Sequence, residues 1–169
     1  MSSAELAVTS NVSTAGFLWL ANQTRDPNKA MARWEAGRTT AVPVGTALVV
    51  VRVLDDRLGR TAFQALREQM PDLLGPVIAN RSIEAVEFLS TARPPVWMGS
   101  ATVLLDGSRI SNRDVQCPPP DRLASGRRWL NPPRAVPGAD LVLTNPLHLV
   151  RALGFARDRL IQAGHRFTT

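Results

Sequence analysis

Cysteine is nearly absent: Cys117 stands alone. An internal disulfide is therefore impossible, and a zinc–thiolate cluster is excluded. Histidine is almost as scarce. His148 and His165 are the only two, and no two-histidine ligand spacing such as HExxH exists. No GxxxxGK[ST], GxGxxG or GxSxG occurs, so the P-loop, the dinucleotide fingerprint and the nucleophile elbow are all missing. Tyrosine is absent and aromatics make up only 5% of the chain, which leaves four tryptophans to carry much of the large-side-chain packing. No apolar run reaches the roughly 18 residues that a membrane-spanning helix needs. The start, MSSAELAVTSNVSTAGFLWLANQ, lacks a basic region ahead of its short apolar patch, so a signal peptide is not expected. These absences describe a soluble, cytoplasmic domain with no membrane partner.

What is present is enough for a core. The chain has 169 residues, 44% of them hydrophobic and 20% charged, which suits one folded domain rather than disorder. The formal charge is +6, and Lys29 is the only lysine, so the basicity is nearly all arginine. With abundant Ala, Val, Leu and Pro, this bias fits a GC-rich coding sequence. A positive chain nevertheless attracts phosphate, which makes DNA or a nucleotide a candidate partner. The arginines are scattered rather than blocked, so charge alone does not outline a binding face.

Residues 1–12 are small and polar and read as a flexible tail, with one domain over 13–164. AGFLWLANQ (15–23) suits a short helix. Asp26-Pro27 offers a cap and first-turn proline for NKAMARWEAG, which Gly37 ends. TALVVVRVL (46–54) is rich in β-branched residues and almost continuously apolar, the pattern of a strand covered on both faces. GRTAFQALREQM (59–70) is helical in its spacing and closed by Pro71. GPVIA and AVEFLS read as strands joined by NRSIE, in hairpin fashion. ARPPVWMGS is an irregular connection, and ATVLL is a strand ended by Asp106-Gly107. RDVQC stops at three prolines, and GRRWL is expected to pair beside it. Asn145-Pro146 starts a last helix with Leu149, Leu153, Ala156 and Leu160 on one stripe, ending at Gly164. The predicted class is α/β or α+β: a mixed β-sheet packed with helices, with a helix at the C-terminal end.

Cys117 follows a strand and precedes prolines. Without a base placed beside it, it reads as a buried structural thiol. His148, in an apolar helix, reads as a packed or hydrogen-bonded residue.

From about residue 15 to 153, the order of pieces resembles the N-terminal domain of bifunctional DNA primase/polymerases. This is the prim-pol branch of the archaeo-eukaryotic primase superfamily. The likeness is closest to the short stand-alone actinobacterial proteins that carry this domain. The matching pieces are AGFLWLA, VGTALVVVRV leading to LGRTAFQAL, then LGPV, VEFLS, VQCPPP and GRRWLNPP. The resemblance implies a primase/polymerase-like fold. In active members one strand carries D-x-D, a second a histidine after a glycine-rich turn, and a third another acid. Together these hold two divalent ions on a nucleoside triphosphate.

Here the D-x-D positions read Arg52-Val53-Leu54, Ala85 stands at the histidine position, and Asp106 comes only at the end of the third strand. The resemblance therefore implies a catalytically inactive member with no catalytic residues and no cofactor. Mg²⁺ or Mn²⁺ enters only if residual nucleotidyl transfer survives through displaced acids, for which Asp55, Asp56 and Asp106 are the candidates. Neighbouring strand residues face opposite ways, so Asp55 and Asp56 cannot jointly face one metal if the strand continues; if the chain is already turning, either can reach a partner carboxylate such as Asp106. For nucleic acid, the candidates are Arg52 at the old metal position and Arg127, Arg128 and Trp129, which pair cations with an aromatic. Arg52 equally suits a buried salt bridge, and Trp129 equally suits the core. Three functions stay open: a nucleic-acid- or partner-binding regulatory domain, a protein-interaction or structural domain, and residual transfer chemistry. The oligomeric state is not specified by the sequence.

Overall fold

The computed structural model describes residues 14–95, 99 and 101–167. The tail expected over 1–12 and the middle of ARPPVWMGS lie outside the described residues.

Among the described residues there are four helices and seven strands. Residues 14–22 form α1. Then come α2 (Pro27–Glu35), β1 (Thr40–Pro43), β2 (Val49–Val53), α3 (Asp56–Gln69), β3 (Val77–Asn80), β4 (Ala85–Ser90), β5 (Thr102–Leu105), β6 (Asp114–Cys117), β7 (Arg127–Asn131) and α4 (Pro146–Gln162). Asp26 caps α2 through Lys29 N and Asn145 caps α4 through Leu147 N, each with proline in the first turn. The α3 helix begins three residues earlier than its apolar spacing suggests, because Asp55 accepts from Leu58 N and serves as its cap.

The α+β class expected from the sequence is present. Five strands form one sheet in the order β5-β2-β4-β3-β7, and β1 pairs with β6 in a separate ribbon. Every ladder between these strands is antiparallel, which refines the mixed sheet expected. β2 and β3 run parallel to each other with β4 between them, so β2-α3-β3 is a split β–α–β unit. One pairing expectation fails. GRRWL does not lie beside RDVQC; β7 pairs with β3, and the partner of β6 is β1, a strand too short to stand out in the sequence.

Alternation along the strands sends side chains into two cores. Val51, Val53, Val77, Val86 and Phe88 face α3 and α4, where they meet Leu58, Phe63, Leu66, Leu149 and Leu153. Val50, Ile78, Leu89 and Leu105 face the other way, onto Phe17, Leu20, Trp34, Val42 and Cys117. The sheet is thus the middle of three layers, which explains why β2 is apolar on both sides. The α4 helix packs on this domain through Leu149, Ala152, Leu153, Ala156 and Leu160. At the open edge, Asn112 Nδ2 donates to Leu104 O at 3.4 Å and blunts strand addition to β5.

α3 lies so close to β4 that only glycine fits at position 59. A Cβ there would sit 2.5 Å from Val86 Cβ. Glycine to alanine inside a helix ordinarily stabilises by about 1 kcal/mol. Here Gly59→Ala is expected to destabilise by about 1–3 kcal/mol through overpacking. Urea titration of Gly59→Ala, Val86→Gly and the double variant checks this: with the Val86 Cβ removed as well as its methyls, the double variant should lose well less than the sum of the two single losses.

Candidate functional site

The site grows out of two lone charges in apolar strands. Arg52 is the only charged residue of β2 and Glu87 the only one of β4, and the register places them directly opposite each other. Both lie on the face toward α1 and α2, since their neighbours Val51, Val53, Val86 and Phe88 face α3 and α4. Glu87 is fully buried, and its Oε1 accepts from Arg52 Nε at 2.8 Å, with Nη2 also at 2.8 Å. Asn80 Nδ2 donates to the same oxygen at 3.4 Å. Arg127 arrives from β7, its Nε 3.8 Å from Glu87 Oε2. One buried carboxylate therefore stands between two guanidiniums, a unit with a surplus positive charge. Glu87 Oε2, Arg127 Nε and Asn80 Oδ1 are buried without a hydrogen bond. These three atoms form a set of two acceptors and one donor, suited to a bridging water.

Cys117 flanks this unit, fully buried. Burial pushes its thiol well above the usual range, the Glu87 charge adds to the rise, and Arg127 opposes it. A thiol held protonated in this way is not a nucleophile.

Arg52 also lines a cleft of about 610 Å³ that runs beside β5. Arg93 and Arg109 share the lining with Asp106, Ser108 and Asn112. Asp106 stays ionised: hydrogen bonds from Ser108 hold its carboxyl below the ordinary range, with Arg93 helping at 2.8 Å. Three arginines face one carboxylate, and Arg109 makes no ion pair among the described residues.

The structure brings Arg52 and Arg127 together and separates the rest. Arg128 points to the opposite face of β7 and is exposed. Trp129 packs edge-on against Phe17, with ring centroids 5.8 Å apart, and its indole donates to Pro118 O at 2.9 Å. The cation–aromatic platform suggested by Arg127, Arg128 and Trp129 is thus divided between two faces and the core.

The three candidate acids are divided too. Asp55 caps α3 and lies 3.3 Å from His165 Nε2, while Asp56 pairs with Arg60 one turn along α3. Asp106 lies beyond Leu105, which pairs with Val50, whereas Asp55 follows the end of β2 that pairs with Thr102. At the usual rise per residue, Asp55 and Asp106 are on the order of 20 Å apart. The sharing of a metal between them, open in the sequence, is corrected by this register. Among the described residues no three His, Cys, Asp or Glu side chains gather as a metal site.

Glu87, Asn80, Arg93 and Arg109 are site residues that the sequence did not single out. For Glu87 there was a signal: a lone acid in AVEFLS and a lone cation in VVVRV invite each other. Comparison with protein-family models, with curated proteins and with solved structures returns no match.

Proposed function

We propose that this chain is a primase/polymerase-like scaffold without metal-dependent transfer chemistry, acting as a binding domain for single-stranded nucleic acid. The observation that carries this is Arg52. It occupies the strand position where the resemblance expects a metal-binding acid, and its guanidinium is paired with the buried Glu87 beside an arginine-rimmed cleft. Arg52 engages Oε1 of that carboxylate and Arg127 stands beside Oε2, so two cations outweigh one anion and the old metal position carries positive charge instead. The cleft supplies cations for phosphate, with Arg109 the least encumbered. Its volume is that of a pocket rather than of a duplex groove, which favours a single strand.

Fluorescence anisotropy with a labelled oligonucleotide, titrated with salt, tests the reading. Three arginine–phosphate contacts on a single strand give a log–log slope of about −2, so affinity falls about twentyfold between 50 and 200 mM salt. Arg109→Ala should flatten that slope by about 0.7. Absence of binding at low salt, or a slope that Arg109→Ala leaves unchanged, overturns the proposal.

A further inference from the structure

The buried stripe of α4 is Leu149, Ala152, Leu153, Ala156 and Leu160. Diametrically opposite, by helical geometry, run Leu147, Arg151, Gly154, Asp158 and Ile161, at alternating spacings of four and three. All five are exposed. Leu147 and Ile161 stand 52% and 54% open, and Phe155 on the flank 48%. Beside Gly154 there is empty space, with no heavy atom within 4 Å of where a Cβ would be. Arg151 and Asp158 make no ion pair among the described residues. Two helical turns separate them, roughly 10 Å along the axis, so they cannot satisfy each other.

This line of side chains is complementary to itself, reversed. We infer that α4 is a homodimer interface, two copies packing antiparallel about a two-fold axis near Gly154. The reversal sets Arg151 of each copy against Asp158 of the other, and Leu147 against Ile161. Gly154 lets the two backbones approach at the centre. A parallel arrangement would face Arg151 with Arg151 and Asp158 with Asp158, so the charges select the antiparallel one. A foreign partner has no reason to match this symmetry; a second copy matches it by construction. A single pair of 17-residue helices is small for an interface, so association in the micromolar range follows.

Sedimentation equilibrium of the full chain, from about 1 to 500 µM, reads the result. The expected mass rises from one chain to two across that range. Arg151→Asp sets two pairs of like charges face to face and should raise the dissociation constant about tenfold or more. The swap Arg151→Asp with Asp158→Arg should restore it to within about threefold of the parent. Gly154→Trp should abolish dimers while leaving the circular dichroism of the fold unchanged, since its side chain has open space to enter. A single-chain mass at every concentration overturns the inference. So does a dimer indifferent to Arg151→Asp, or a swap that fails to restore association.

Discussion

Glu87→Ala is expected to cost about 3–5 kcal/mol in a urea titration, a third or more of the stability of an ordinary domain. The figure follows from what is left behind rather than from the bond itself. Arg52 and Arg127 are only about a fifth open, at 21% and 18%, and both lose their counter-ion while staying on the same face of the sheet, with β4 and β3 between them. The matching double variant behaves differently. Arg52→Leu with Glu87→Leu removes both members of the cross-strand pair and leaves Arg127 to turn its head to water. That change should fall within about 1–2 kcal/mol of the parent, because replacing a buried ion pair by apolar groups is often close to neutral. The gap between the single and the double is the measurement. A Glu87→Ala loss below about 1 kcal/mol would mean that the charges are already well solvated, and the site would lose its buried anchor.

Much of the fold was legible because local chemistry and tertiary packing agree. Asp26-Pro27 and Asn145-Pro146 mark helix starts, and AVEFLS becomes β4 residue for residue. NRSIE turns the β3–β4 hairpin as expected. Pairing was harder to see. Nothing within RDVQC or GRRWL says which neighbour each takes, since a ladder is a long-range choice made by what the rest of the sheet leaves open. β3 already has β4 on one side and accepts β7 on the other, while β6 reaches back to β1 across more than 70 residues. The start of α3 was missed for a local reason: Asp55 reads as the end of a strand and is also the cap of the next helix.

The site was half legible. Arg52 drew attention as a cation where the resemblance expects a metal-binding acid, and it pairs with the buried carboxylate at the centre of the site. Arg127 joined it; Arg128 did not, because adjacent residues of β7 alternate between faces, and Trp129, on Arg127's face, is taken up by the core against Phe17. Sequence proximity is a poor guide to shared chemistry on a strand. Asp55 and Asp106 show the reverse error: both flank strands that pair, yet the antiparallel register sends them to opposite ends.

Trp34→Ala is expected to expose Cys117 to thiol reagents at a rate about a hundredfold or more above the parent. Trp34 ties α2 to the β1–β6 ribbon. It is buried, meets Phe17 edge-on at 5.1 Å, and its indole donates to Cys117 O at 3.0 Å. Truncation opens a large cavity and orphans that carbonyl, at about 3–5 kcal/mol. Trp34→Phe keeps a ring but not the donor, so it should sit between, losing about 1–3 kcal/mol. Because Cys117 is the only cysteine, labelling kinetics report the opening of its own layer without interference. Phe88→Ala provides the contrast. Phe88 is equally buried but belongs to the core under α3 and α4. If the two layers open separately, Phe88→Ala destabilises the chain in urea as much as Trp34→Ala yet accelerates Cys117 labelling far less. Equal acceleration would mean that the cores on either side of the sheet melt as one unit, with β2 and β4 transmitting every loss from one face to the other.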